Sequence, residues 1–212
     1  MVPDGGVIGL GTGHAAAAFL RALSERVRSG LRIRGVPTSE ASSKLATELG
    51  IPTIGPDSVE TLDLDVDGAD EVDPDCNLIK GHGGALLREK VVAAMSKRVV
   101  ILVGTEKLVP VLGSHGMLPV EVVPFAVPFC QRQLTRLGCA PYLRLHDNRP
   151  FVSDNGNHIL DCHVPPIDRP RELDEAIRAI PGVAGTGFFI GMADTVLIQN
   201  GDTVEVRTRG RR

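Results

Sequence analysis

The sequence predicts an α/β protein in which a doubly wound sheet domain is joined to a smaller α+β domain. Strand-like apolar runs alternate with helical segments through the first half of the chain, as in a sheet covered by helices on both faces. The run 99–103 is apolar throughout and mostly β-branched, which is typical of a parallel strand buried on both sides. After Pro119 the alternation gives way to Asn-Gly turns and isolated helices. In a doubly wound sheet, ligands bind outside the carboxyl ends of the strands, so we expect the functional site there.

The elements of the first domain follow one another in strict alternation. Ser39 is a residue type that caps helices, and Gly50 is suited to follow the end of the same helix. Apolar residues recur at helical spacing in the helix before it. In chain order we predict strand 7–10, helix 15–27, strand 31–36, helix 39–49, strand 62–66, helix 85–97 and strand 99–103.

The second half carries strand, helix and hairpin signals. We predict a strand at 121–127 and a helix at 129–137 that Gly138 ends. Asn155-Gly156 and Asn200-Gly201 each lie between short apolar runs and indicate two hairpins, 151–152 with 159–160 and 196–198 with 204–206. A helix at 170–180 begins with proline. We therefore expect a Rossmann-like domain of residues 1–123 and 192–212 and a small α+β domain of residues 124–191.

Composition narrows the functional classes. The chain has 212 residues and a formal net charge of -3, which argues against sequence-independent nucleic-acid binding. No apolar run approaches the roughly 18 residues of a membrane span, and no leader opens the chain, so we expect a cytoplasmic protein without a membrane partner. The four cysteines have irregular spacing, which favours free thiols in a reducing compartment; they are Cys76, Cys130, Cys139 and Cys162.

The first glycine-rich stretch, residues 9–13, follows a strand and opens a helix. A bare-backbone turn at a helix N-terminus binds anions, because free amides and the helix dipole point at the ligand. A dinucleotide fingerprint would require glycine at His14 and an acid after the second strand, where hydroxyl residues stand instead. Hydroxyls suit a phosphate rather than a ribose diol. The predicted substrate site therefore includes Gly11, Thr12, Gly13, His14, Thr38 and Ser39, with the phosphate near Thr12, Gly13, Thr38 and Ser39.

The stretch 80–90 is the most specific of the glycine-rich segments. Three glycines within four positions cost conformational entropy, which close approach of the backbone to a ligand would justify. Lys80 precedes this loop and Glu89 lies in the first turns of the next helix, while Asp67 and Asp70 end an earlier strand. Together they indicate proton chemistry, with Glu89 as the candidate base. The loop residues Gly81, His82, Gly83 and Gly84 are predicted to contact substrate.

Each of these residues also has a purely structural interpretation. The two aspartates could bond their own backbone in a turn, and Glu89 with Lys90 could form a surface pair. Asp63, Asp65 and Asp67 match the start of a calcium loop, but Pro74 stands where the closing glutamate belongs. We predict no metal site.

Taken together, the motifs show that the chain resembles the type A ribose-5-phosphate isomerases. The matching segments occur in family order and cover nearly the whole chain; they are 9–13, 37–39, 67–73, 80–90, 118–122 and 154–157, followed by 181–183 and 187–189. The resemblance implies that the small domain is ferredoxin-like, that the protein is a homodimer or homotetramer, and that it needs no cofactor. It implies interconversion of D-ribose 5-phosphate and D-ribulose 5-phosphate in the pentose phosphate pathway.

Carried over by motif, the family's general base falls on Glu89, its catalytic aspartates on Asp67 and Asp70, and its catalytic lysine on Lys80. Two alternatives stay open at this point. One is a sugar-phosphate sensor that binds but does not catalyse. The other is a different enzyme on this fold, such as an amino-sugar phosphate deaminase or a coenzyme A transferase.

Overall fold

The computed structural model describes residues 2–210 and has the α/β class expected from the sequence. The α-helices are α1 (His14–Arg28), α2 (Glu40–Glu48), α3 (Leu86–Met95), α4 (Val127–Arg136) and α5 (Pro170–Arg178). The strands are β1 (Gly6–Leu10), β2 (Ile33–Pro37), β3 (Leu64–Gly68), β4 (Glu71–Val72), β5 (Leu78–Ile79), β6 (Val99–Gly104), β7 (Met117–Val122), β8 (Ala140–Leu143), β9 (Leu145–His146), β10 (Arg149–Pro150), β11 (His158–His163), β12 (Val183–Thr186), β13 (Phe188–Phe189), β14 (Thr195–Asn200) and β15 (Thr203–Thr208).

The chain divides into two compact units. Unit 1 comprises Met1–Ala69, Arg88–Glu106 and Met192–Arg212, of which Met1, Arg211 and Arg212 lie outside the described residues; unit 2 comprises Asp70–Leu87 and Lys107–Gly191. The sequence-based division differs, because it assigned 70–87 and 107–123 to the first domain. Strand pairing explains the difference: β4 and β5 form a sheet with β13, and β7 pairs with β11 and β12. The pairings of β5 with β13 and of β7 with β11 and β12 join segments far apart in the chain, so no local sequence pattern predicts them.

Unit 1 is built on a six-stranded sheet in the order β15-β14-β6-β3-β1-β2. The five strands from β14 to β2 are parallel and β15 pairs antiparallel with β14, which confirms the predicted hairpin at Asn200-Gly201. Ile8 and Leu10 of β1 pack in a core cluster with Leu20 and Leu23 of α1, whereas Val7 packs in another with Val92 of α3. Because alternate residues of β1 contact different helices, the sheet is doubly wound, as predicted.

The cap of α2 confirms the boundary that Ser39 predicted. Ser39 Oγ accepts the backbone N–H of Ser42 at 3.0 Å, and Ser42 Oγ accepts the N–H of Ser39 at 3.0 Å. This reciprocal capping box satisfies two amides that a helix start leaves open. At the other end, Gly50 has a φ of 70°, the left-handed geometry that glycine adopts after a helix.

Unit 2 contains a four-stranded antiparallel sheet in the order β12-β7-β11-β8. With α4 between β7 and β8 and α5 between β11 and β12, the connectivity is the β-α-β-β-α-β of ferredoxin-like folds. A core cluster buries one face of this sheet beneath the two helices, including Val120 and Leu160 from the strands, Leu134 from α4 and Ile177 from α5. The expected ferredoxin-like architecture is therefore confirmed.

The predicted strand at 121–127 is wrong in position. The strand is β7, Met117–Val122, and a 3-10 turn at Pro124–Ala126 leads directly into α4. Pro124 and Pro128 occupy the first positions of these helical turns, where the missing N–H is not needed. Their fixed φ angles favour a helix start over continuation of the strand.

The predicted hairpin around Asn155-Gly156 is also wrong. The turn does form, with the Ser153 N–H donating to the Asn157 carbonyl at 2.9 Å, but 151–152 are not a strand and β11 pairs with β7 and β8 instead. The side chains of the turn form hydrogen bonds with Glu121 on β7. The buried Glu121 Oε1 accepts from Ser153 Oγ at 2.8 Å and from the side-chain amides of Asn155 and Asn157 at 3.0 Å each.

Among residues 2–210, no helix has the length and apolarity needed to cross a membrane. The four cysteines are buried and none is in a disulfide.

Gly187, between β12 and β13, provides a test of the packing in unit 2. A Cβ there would lie 2.5 Å from the Lys80 carbonyl oxygen and 3.0 Å from Pro119 Cδ, so backbone would have to move. Gly187→Ala should lower the free energy of unfolding by about 1–3 kcal/mol in urea denaturation. Gly210→Ala, where a Cβ meets open space, should stay within about 0.5 kcal/mol of wild type. Equal stability of the two variants would contradict the packing described.

Candidate active site

In unit 1 the predicted site residues other than Glu89 lie at or just after the carboxyl ends of β1, β2 and β3. The parallel strands have the order 2-1-3-4-5 by position in the chain, so the switch point falls between β1 and β3. The loop 11–13 follows β1, and Gly13 is the N-cap of α1 with φ of 100° and no capping side chain. The first turn of α1 contains no acidic residue. Its amides and the positive end of the helix dipole are therefore suited to an anion.

Three hydroxyl groups converge beside this loop. Thr12 Oγ1 lies 2.7 Å from Thr38 Oγ1 and donates to Ser39 Oγ at 2.8 Å. Thr38 and Ser39 are buried, and Thr38 Oγ1 also donates to the Leu10 carbonyl at 3.1 Å. A depression of about 300 Å³ next to them is lined by Gly11, Thr12, Gly13, His14, Ala17, Ala41, Ser42 and Leu45. The structure thus brings together the six residues predicted for this part of the substrate site.

Asp67 at the end of β3 joins this loop through backbone amides. Its Oδ1 accepts the N–H of Thr12 at 3.0 Å and of Gly68 at 2.7 Å, and the residue is 1% exposed. A Cβ on Gly11 would overlap Asp67 Oδ1 and stand 2.5 Å from the Val66 carbonyl. The absence of a side chain at position 11 is therefore what allows the carboxylate to approach the loop.

Glu89 lies in the first turn of α3 and belongs to unit 1. It is only 4% exposed, which excludes the interpretation of Glu89 as half of a surface ion pair. Burial disfavours a charged carboxylate unless polar groups compensate, so a glutamate here is unusual for a plain helix.

Asp63, which directly precedes β3, has a structural role. Its Oδ1 accepts Lys97 Nζ at 2.8 Å and its Oδ2 accepts the Val7 N–H at 3.0 Å. Lys97 and this backbone bond hold the pKa of Asp63 below its usual range. Asp63 thus serves as an ordinary ion-pair partner, in line with the failed calcium motif. Within residues 2–210, no group of three or more His, Cys, Asp or Glu side chains is arranged to hold a metal ion.

In unit 2 the glycine loop, residues 81–84, connects β5 to α3. Gly81 and Gly84 have φ of 112° and 84°, a region that other residues rarely adopt, and the Gly84 N–H donates to the Gly81 carbonyl at 3.0 Å. Asp70 faces this loop: its Oδ2 accepts the His82 N–H at 3.0 Å, and its Oδ1 lies 3.5 Å from His82 Nδ1. Sequence reasoning thus grouped Asp70 with the loop correctly.

Lys80 is held by the small sheet of unit 2. Its backbone N–H donates to the Gly187 carbonyl at 2.9 Å, and its Nζ lies 5.4 Å from the centroid of the Phe189 ring. The residue is 4% exposed. The aromatic face stabilises a cation by its quadrupole, so this ammonium group is positioned while most of its side chain is out of water.

Sequence reasoning missed three residues that contact this part of unit 2. Phe189 lies against Lys80, Phe151 packs against Gly84, and Arg144 bonds the loop carbonyls. None lies in a glycine-rich motif. The only available signal was the pair of phenylalanines at 188–189 within a segment that carried the family resemblance.

A doubly wound sheet whose switch-point loop leads into a helix N-terminus without a capping side chain defines the chain as an α/β protein with a loop suited to an anion. The family profile of ribose 5-phosphate isomerase A (phosphoriboisomerase A) matches residues 34–203. The ribose-5-phosphate isomerase A of Gloeobacter violaceus is 50% identical over 209 residues, covering 98% of this chain and 91% of that protein. The chain belongs to the ribose 5-phosphate isomerase A family.

Solved structures show the same likeness. Ribose 5-phosphate isomerase A from Methanocaldococcus jannaschii is 40% identical with a TM-score of 0.94, over 98% of this chain and 93% of that one. A D-ribose-5-phosphate isomerase in complex with phospho-erythronic acid is 39% identical, also with a TM-score of 0.94 and the same coverage.

The carboxylate of Asp67 can be tested apart from any activity. Asp67→Ala removes the acceptor of two backbone amides and should lower the free energy of unfolding by about 1–3 kcal/mol. Asp67→Asn keeps one acceptor oxygen and should lower the free energy of unfolding by a smaller amount. Urea denaturation measures both, and the amide shift of Thr12 reports the bond directly. A Thr12 amide shift unchanged in Asp67→Ala would contradict the contact.

Proposed function

We propose that the protein interconverts D-ribose 5-phosphate and D-ribulose 5-phosphate, the reaction its family is named for. The observation that carries the proposal is the near-complete burial of Glu89 in a chain whose relatives at about half identity are ribose-5-phosphate isomerases. A sensor would need amides and hydroxyls to bind the sugar phosphate, but it would not need a buried carboxylate to remove a proton from carbon.

In the proposed mechanism Glu89 takes the proton from C2 of the open-chain aldose. The electron pair left on C2 forms the C1–C2 double bond of an enediolate as negative charge moves to the C1 oxygen. Glu89 then returns the proton to C1, and the hydroxyl proton on O2 passes to O1, which leaves a hydroxyl at C1 and the ketose carbonyl at C2. One carboxylate serves both carbons because the two are adjacent, and a base of this kind typically contributes 10²–10⁴-fold to the rate.

Lys80 is assigned to the charge that develops on the enediolate oxygens. A fixed ammonium group with little exposure to water stabilises such charge more than a solvated one does, typically by about 3 kcal/mol for one donor. Asp67 and Asp70 are assigned to proton transfer at the ring and hydroxyl oxygens, which opens the sugar ring. The loop residues Gly81, His82, Gly83 and Gly84 are proposed to complete the contacts with the sugar.

The phosphate is assigned to the loop after β1. Thr12, Thr38 and Ser39 supply hydroxyl groups, and Gly13 and His14 supply backbone amides at the N-terminus of α1. A similar structure in complex with phospho-erythronic acid, a phosphorylated sugar acid, supports the binding of a sugar phosphate. The proposed reaction moves protons only, and side chains suffice for it. We further propose that the protein acts in the cytoplasm as a homo-oligomer.

Glu89→Gln tests the assignment of the base. The amide cannot accept a proton from carbon, so turnover should fall by at least about 10²-fold while the affinity for ribose 5-phosphate stays near that of wild type. Proton NMR in heavy water measures both turnover and incorporation of deuterium into the sugar. Deuterium incorporation at the wild-type rate by Glu89→Gln would refute this role.

Thr12→Val tests the phosphate site, since it removes the central hydroxyl and keeps the shape of the side chain. We expect KM for ribose 5-phosphate to rise about tenfold with little change in kcat, because a hydrogen bond to a charged group is lost in ground and transition states alike. Thr47→Val is the matched control: Thr47 is exposed on α2 and its Oγ1 bonds only the Ser43 carbonyl among the bonds described. A rise in KM of the same size in Thr12→Val and Thr47→Val would contradict the assignment of Thr12 to the phosphate.

A further inference from the structure

Arg144 makes a set of bonds that spans two parts of unit 2. Its Nη1 donates to the carbonyl oxygens of Gly81 and His82, at 3.0 Å each. Its Nε and Nη2 donate to Asp161 Oδ2 at 2.8 Å and Oδ1 at 2.5 Å, a bidentate pair. The side chains of Arg144 and Asp161 are 13% and 21% exposed. The guanidinium therefore links the glycine loop to Asp161 on β11.

The backbone around Arg144 is itself held by the four-stranded sheet. The Arg144 N–H donates to the Ile159 carbonyl at 2.9 Å, and its own carbonyl accepts the Phe151 N–H at 2.8 Å. Asp161 lies opposite Tyr142 in the pairing of β11 with β8. Asp161 thus lies on a paired strand and Arg144 directly follows one, so the guanidinium is a fixed point against which the glycine loop can be held.

Phe151 adds an apolar contact to the same loop. The Arg144 guanidinium carbon lies 5.7 Å from the Phe151 ring centroid, within the range of cation–π attraction. A Cβ on Gly84 would lie 2.5 Å from Phe151 Cζ, so the ring fills the space that the glycine leaves. The carbonyls at the start of the loop and the Cα at its end are therefore held from one side by Arg144 and Phe151.

These contacts fix the direction of loop amides. In a trans peptide the C=O and N–H point in opposite directions, so a carbonyl held by Arg144 turns its partner N–H away. The Gly81–His82 peptide shows this, because its oxygen bonds Arg144 while the His82 N–H donates to Asp70 Oδ2 at 3.0 Å. By the same geometry the Gly83 N–H points away from Arg144. The His82 N–H thus faces Asp70, and the Gly83 N–H faces away from Arg144.

We propose that Arg144, backed by Asp161, is a positioning residue for the reaction: it holds two peptide groups of the glycine loop so that their amides and Asp70 are oriented before substrate arrives. The inference rests on the proposed function, which assigns this loop to the sugar. A loop with three glycines samples many conformations when nothing holds it. Arginine suits the task because its planar fork can bond a carboxylate on one side and carbonyls on the other, which lysine cannot do.

The test compares Arg144→Met, Arg144→Lys, Arg144→Ala and Asp161→Asn with the control Arg32→Met. Arg32 makes a similar pair with Asp4 through Nε and Nη2, in unit 1 and without any loop carbonyl. Two quantities are measured for each protein: kcat and KM for ribose 5-phosphate, and hydrogen exchange of the amides of residues 81–86. Urea denaturation gives the folded fraction under assay conditions.

We expect Arg144→Met to lower kcat by about 10²-fold, the typical effect of misplacing a catalytic group by about 1 Å, with a smaller change in KM. Exchange at His82 and Gly83 should accelerate at least about tenfold. For Arg144→Lys and Asp161→Asn, kcat and the exchange rates should lie between those of wild type and Arg144→Met. Both quantities should match wild type in Arg32→Met. Guanidinium at millimolar concentration, far below the molar range that denatures proteins, should restore part of the kcat of Arg144→Ala.

Two results would overturn the inference. One is a kcat for Arg144→Met within about threefold of wild type in a folded protein. The other is a loss of kcat that follows the folded fraction, with unchanged loop exchange and no rescue by guanidinium. Absence of isomerisation by the wild-type protein would instead sink the proposed function, and the exchange rates would still show whether Arg144 orders the loop.

Discussion

The candidate site of unit 1 depends on the burial of one carboxylate at the end of β3. Asp67 is 1% exposed, and its Oδ1 is satisfied by the backbone amides of Thr12 and Gly68. This bond requires that position 11 lack a side chain, because a Cβ would occupy the place of the carboxylate. The loop after β1 is thereby tied to the neighbouring strand. Its remaining amides at the N-terminus of α1 stay available for an anion, which is where the phosphate is assigned.

In unit 2 a glycine-rich loop is also held by charged side chains, but there its carbonyl oxygens are bound as well as an amide. There the loop carbonyls are bound by a side chain, Arg144, while a loop amide is bound by Asp70. Lys80 enters the loop from a strand and lies against Phe189. In both units glycine-rich backbone supplies the contacts, and charged groups that are buried in unit 1 and half-buried in unit 2 set its direction. Such preorganisation means that donors need not reorient when charge develops in the transition state.

Much of this was predictable from sequence, for identifiable reasons. The parallel sheet, the cap at Ser39 and the Asn200-Gly201 hairpin depend on local patterns, and each was found. The glycine-rich stretches marked where backbone approaches other groups closely. Two elements were predicted wrongly. The strand predicted at 121–127 lies earlier in the chain, because Pro124 and Pro128 favour helical turns. The turn at Asn155-Gly156 does not close a hairpin, and the Asn155 side chain donates to the distant Glu121 instead. Arg144 lies 62 positions from His82 and belongs to no motif, so only coordinates could connect them.

The central claim is that this chain holds a sugar phosphate with its phosphate on the hydroxyl and amide groups after β1 and its C1–C2 bond at Glu89. A crystal structure of Glu89→Gln with ribose 5-phosphate bound tests it most directly, because the substrate would remain unconverted. The account predicts the phosphate within roughly 3 Å of Thr12 and the amides of α1, and C2 within reach of the side chain at position 89. A phosphate bound elsewhere, or a sugar whose C1 and C2 lie away from that side chain, would contradict it.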